Sequence, residues 1–174
     1  MKLIQRIPWF ATIAAGAILQ AGAPSVHAEG GCSNIRFQGL ANLGFIELGP
    51  GIFVLGALPT PTTIAGVSGM LGSIITGVET SGADGQGAWH FTLVHTFVST
   101  EPSRPGTFFT SDRAISAPAG TDPNTGIIND VMTIVSGTGV FADAEGFMMN
   151  HAILNLNNFT LTTSVHGRIC AKGL

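Results

Sequence analysis

The stretch Ser136 to Gly146 (SGTGVFADAEG) constrains this chain more than any other. A strand-like run, Ile127 to Val135, precedes it, and a second, Phe147 to Leu156, follows. Loops that cradle phosphates need a helix N-terminus behind their glycines. No helical period opens here, so the glycines mark a connection between two strands and not a nucleotide site.

The remainder of the chain has the same character. Short β-rich runs alternate with Gly, Pro, Asn, Asp and Ser punctuation, and beyond the first residues nothing sustains a helical period. The candidate strands are Ile35–Leu40, Gly44–Leu48, Ile52–Leu58, Thr63–Ile75, Ala88–Ser99, Thr107–Ala117, Ile127–Val135, Phe147–Leu156 and Phe159–Cys170. Seven to nine strands in one domain fit a small barrel or sandwich. Turn signals fall at Ser81–Gly85, Glu101–Gly106, Ala119–Asn124 and Asn157–Asn158, and Pro59-Thr60-Pro61 is the stiffest break.

Residues 1–28 have the pattern of a secretory signal peptide. Lys2 and Arg6 give a positive start, Trp9–Leu19 an uncharged apolar core, and Val26-His27-Ala28 a small-x-small cleavage site. Residues 29–174 are then one β domain, secreted or periplasmic, with no membrane span after cleavage. Five basic and ten acidic residues remain, a net charge of −5 with no basic cluster. Nucleic acid and anionic membrane surfaces are therefore poor partners. Cys32 and Cys170, the two cysteines, lie near the ends of that domain. In an oxidising compartment pairing is the expectation, and two buried free thiols are the alternative.

No nucleophile elbow, zincin helix or phosphate loop is present, and no C-x-x-C or H-x-H pair points to a metal. What remains is a few ionisable groups inside apolar strands. In Ala88–Ser99 the odd positions Trp89, Phe91, Leu93, His95 and Phe97 carry the larger apolar area, which makes that face the packed one. His95 is the first choice for acid–base work in a dry pocket, against the alternative of a core histidine bonded to the backbone. Trp89, Phe91, Phe97 and His151 are candidate ligand contacts. Asp112 and Arg113 are adjacent, so one faces in and the other out. An inward Asp112 is the second catalytic candidate, able to polarise a ligand hydroxyl or stabilise a developing cation. Asp130 has the same ambiguity of facing. Phe141, Ile153 and Val165 join the expected core.

Gly137, Thr138, Gly139, Phe141, Ala144 and Gly146 resemble the G-T-G-x-F-x-x-A-x-G segment of the allene oxide cyclase and dirigent barrels. A looser likeness runs from Thr63 to Cys170. The resemblance implies an all-β fold: one antiparallel, closed barrel of eight strands or nearly so. It implies a lumen that binds an apolar small molecule and guides its cyclisation or coupling by shape, without a cofactor. It also leaves room for a homo-oligomer. Glu145 stands where plant dirigents commonly carry a basic residue, so none of their catalytic residues is carried over. The competing expectation is a non-enzymatic carrier or interaction barrel with a packed lumen.

Overall fold

A computed structural model describes residues 31–79 and 88–174. The expected signal peptide at 1–28 and the expected turn at Ser81–Gly85 lie outside the described residues. Eight antiparallel strands in sequence order close into a barrel: β1 (Gly31–Gly49), β2 (Ile52–Ile64), β3 (Val67–Glu79), β4 (Trp89–Ser99), β5 (Gly106–Pro118), β6 (Thr125–Gly139), β7 (Glu145–Asn155) and β8 (Thr160–Ala171).

Nine expected runs become eight strands by one merger, and one boundary is redrawn so that Thr63 and Ile64 end β2. Ile35–Leu40 and Gly44–Leu48 form a single strand, β1, because Ala41–Leu43 continue the extended backbone. The run Thr63–Ile75 is cut by a tight turn at Ala65 and Gly66, whose φ values of 52° and 74° suit a two-residue hairpin. Pro59 and Pro61 do not break the chain. They lie inside β2, where their missing N–H groups bear on barrel closure instead.

Period-2 alternation sorts side chains between lumen and exterior. In β5, Phe108, Thr110, Asp112, Ala114 and Ser116 are buried, while Ser111, Arg113 and Ile115 are exposed. The odd face of β4 pairs with this inward set, Trp89 opposite Ser116 and Phe97 opposite Phe108. The inward choice for that face therefore holds, but two burial expectations do not. Trp89 ends the strand at the barrel rim and is 52 % exposed. Ile153 is on the outer face of β7 and is 50 % exposed, because the inward positions of that strand are Met148, Asn150 and Ala152.

One barrel end is filled. It carries the β2–β3, β4–β5 and β6–β7 connections, and its core gathers Ile35, Val67, Phe97, Phe108, Phe141 and Met148. Phe141 descends from the β6–β7 connection onto Phe97 and Phe108, edge to face, with ring centroids 5.4 and 5.2 Å away. The glycines of this connection are required by contact and by conformation. A Cβ on Gly137 would overlap the carbonyl oxygen of Phe141, and Gly139 holds a φ of 58° against the Pro105 carbonyl.

The seam between first and last strands runs from Gly31 opposite Ala171 to Asn42 opposite Thr160. Cys32 and Cys170 are direct partners in it and form a disulfide, with Cα atoms 4.0 Å apart. A disulfide accords with an oxidising compartment.

Candidate functional site

Above the phenylalanine plug, three ionisable side chains meet inside the barrel. His95 of β4, Asp112 of β5 and Asp130 of β6 are all buried. They are not direct cross-strand partners. Asp112 pairs with Leu93 and Met132, and Asp130 pairs with Ala114. Each step from strand to strand is diagonal by two residues. Strand tilt in a barrel brings such diagonal positions to one level around the axis.

His95 Nδ1 lies 2.7 Å from Asp112 Oδ2 and 4.0 Å from Asp130 Oδ2. The backbone N–H of His95 donates to Thr110 Oγ1 at 2.9 Å, which anchors the residue beneath its own ring. Burial pulls the imidazole pKa down. The hydrogen bond to Asp112 and the charges of Asp112 and Asp130 outweigh it, so the His95 pKa is raised. Burial pushes the Asp130 carboxyl up to about 7; His95 opposes the rise and Asp112 adds to it. Asp112 Oδ1 and Asp130 Oδ1 are buried without a hydrogen-bond partner among the described residues. Two such orphan acceptors are costly, and they keep this part of the lumen polar.

The three groups offer one imidazole and two carboxylate ligand atoms within 4.8 Å of one another, a donor set that a divalent cation could use. The 2.7 Å separation of Nδ1 and Oδ2 is that of a charge-assisted hydrogen bond, with a proton shared between them.

His95 also lines a cavity of about 70 Å³ together with Phe37, Leu71, Met132, Asn150 and Thr163. That is above the roughly 10–15 Å³ one water needs and below the about 150 Å³ of a cavity that takes up benzene, so the enclosed part holds a few waters or the polar end of a ligand. Asn150 stands opposite Asp130 in the β6–β7 ladder and accepts a hydrogen bond from Thr163 Oγ1 at 2.5 Å. The wall is thus apolar with a polar arc of His95, Asn150 and Thr163.

Comparison with protein-family models, with curated proteins and with solved structures finds no match. The site is therefore read on its own chemistry.

Of the residues singled out in the sequence, His95 and Asp112 come together and His95 reaches the cavity. Phe97 is spent in the plug and does not line it, and Phe91 is half-buried on the inward face. Trp89 stays at the rim. His151 is on the outer face of β7, where its Nδ1 lies 2.9 Å from Asn129 Oδ1, so it does not reach the lumen. Arg113, His90 and His166 point outward in the neighbouring strands. Asp130, Asn150, Thr110 and Thr163 carry the site without having been chosen as its members. The signal for Asn150 was a polar residue between Met148 and Ala152 on one face.

Proposed function

We propose that the barrel binds a small, neutral, mainly apolar molecule in its lumen and that His95 is the proton-donating contact to a ligand hydroxyl or carbonyl. The observation that carries this reading is the Nδ1–Oδ2 hydrogen bond of 2.7 Å from His95, which lines the cavity, to Asp112 buried behind it. Asp112 fixes the ring and supports its charged form, which leaves Nε2–H as the proton for the lumen. Two carboxyl groups beside it would stabilise a cation developing on the ligand. They also disfavour an anionic ligand, which sets carboxylates such as fatty acids below phenols, alcohols and enones. Chemistry of this kind needs no cofactor, and it fits the isomerase or cyclase activity that the allene oxide cyclase and dirigent resemblance implies.

The test is an NMR titration of the His95 ring nitrogens with p-cresol and cyclohexenone, with octanoate as the charged comparator. The expected result is a saturable shift with the neutral probes, weak or absent with octanoate; in His95→Gln, which has no ring to observe, the accompanying shifts of the Asn150 and Thr163 backbone amides are expected to be lost. Glutamine keeps an N–H for Asp112, so loss of binding there is not a folding defect. Absence of any shift with the neutral probes overturns the reading.

A second reading has its own support. The cavity is small, one end is filled, and Val131, Phe147, Met149 and Ile153 form an exposed apolar strip on β6 and β7. That combination fits an interaction barrel whose outer face meets a partner, a second copy of the chain included. Sedimentation analysis of the purified protein tests it: a monomer at every concentration removes the self-association form.

A further inference from the structure

The barrel wall has a slot, and it lies beside the cavity. β1 pairs with β8 only from Gly31 to Asn42, and with β2 only from Leu43 to Gly49. The β1–β2 ladder therefore stops at Leu43 opposite Ala57. Continued, it would set Ala41 and Gly39 against Pro59 and Pro61. Neither proline has an N–H to give to a ladder. The β2–β3 register also shifts between Ala57 and Thr60. Sequence and register together hold the two strands apart along this stretch.

The cavity runs into that gap. Its lining includes Gln38, Leu40 and Pro61, all exposed, beside the inward-facing Phe37 and Ala41. Leu40 points to the exterior and is 57 % exposed. A space lined by both faces of one strand passes around that strand's edge. Gly39 marks the passage: it sits at an inward register position opposite Thr163, yet it is exposed, and a Cβ built on it would meet nothing within 4 Å. The filled end offers no alternative, since Phe97, Phe108 and Phe141 are 0 % exposed.

We propose that the ligand reaches His95 sideways, through the slot between β1 and β2, and that Gly39 is its threshold. This rests on the lumen reading above for what is bound, though not for the route itself. The lips are Gln38, Leu40, Pro61 and Thr62, which bear no charge. They suit a flat or extended neutral molecule whose single polar group enters first and whose apolar remainder stays between Leu40 and Pro61. Ligands longer than the cavity are then accommodated with one end in the slot, so the small enclosed volume does not set the size of the substrate.

The experiment needs no natural ligand. Diethyl pyrocarbonate is a small neutral reagent that modifies unprotonated imidazole, and peptide mapping reads each histidine separately. The exposed His151 and His166 serve as internal references, and the His95 pKa measured by NMR in each protein corrects for the reactive fraction. Gly39→Phe fills the slot from β1, and Thr62→Phe fills it from β2. In either folded variant the corrected rate at His95 is expected to fall by about tenfold or more, since access would then await a wall movement. Leu40→Ala is expected to raise it. Unchanged rates in two folded plug variants overturn the route, and so does a parent whose His95 stays unmodified while His151 and His166 react. A His95 that reacts through the slot but shows no p-cresol shift sinks the ligand reading alone.

Discussion

Asp112 holds His95 from a diagonal position, two residues along β5 from Thr110, which takes the backbone N–H of the same histidine. One strand thus fixes both the backbone and the ring of His95. The hydrogen bond and charge of Asp112 are what keep the imidazole pKa above its ordinary value against burial. Replacing Asp112 by Asn removes the charge and keeps the shape. The expected outcome is a His95 pKa below 6.5, because burial then has only Asp130 against it. NMR titration of the ring resonances measures it. A pKa that stays raised in Asp112→Asn assigns the support to some other group.

The cluster also makes stability depend on pH in a fixed direction. Asp130 is raised from 3.8 to about 7. A carboxyl with a raised folded-state pKa favours folding while protonated, and the benefit is lost as pH rises from about 4 to about 7. His95 is raised as well, so its contribution is complete below 6.5 and is lost as pH rises through its higher folded-state value. Both terms have one sign. Denaturant melts are expected to show greater stability at pH 5 than at pH 8, by up to a few kcal/mol. Asp130→Asn should flatten the lower part of this profile. Equal stability at the two pH values excludes a buried, raised Asp130.

Much of this was legible in the sequence, and the exceptions share a cause. The alternation in Ala88–Ser99 placed His95 inside because its two faces differ in apolar bulk. β6 hides the same information: Ile127, Val131 and Val135 face out while Ile128, Met132 and Ile134 face in, so the facing of Asp130 was undetermined. The outer strip on β6 and β7 likewise made Ile153 look like core. The meeting of His95, Asp112 and Asp130 depends on inter-strand stagger, which no single strand encodes. Pro59 and Pro61 were read as a break in the chain, whereas their effect falls on the hydrogen bonds to the neighbouring strand.

The plug sets another expectation. Phe141 is fully buried and makes ring contacts with both Phe97 and Phe108. Phe141→Ala leaves a cavity at the closed end, and large-to-small changes of this kind cost about 3–5 kcal/mol. Gly137→Ala should destabilise too, since its Cβ would strike the Phe141 carbonyl. Chemical denaturation checks both. A loss below about 1 kcal/mol in Phe141→Ala would show that the barrel end relaxes around the gap.

The last expectation concerns the seam. Cys32 and Cys170 are 138 residues apart and join β1 to β8 near the chain ends. Constraint of the unfolded chain by a loop of that length is worth about 5 kcal/mol in the chain-entropy model. Closure of the barrel does not depend on the bond alone, because the β1–β8 ladder continues to Asn42 opposite Thr160. The double variant Cys32→Ser with Cys170→Ser should therefore still fold into a barrel, with an unchanged far-ultraviolet circular dichroism spectrum. Its midpoint should fall by roughly 10–20 °C, at about 2–4 °C per kcal/mol for a chain of this size. Reduction of the parent should reproduce that shift, and oxidation should reverse it. A midpoint that moves by less than about 3 °C would mean that the unfolded chain is already held compact, so that the bridge removes little entropy from it.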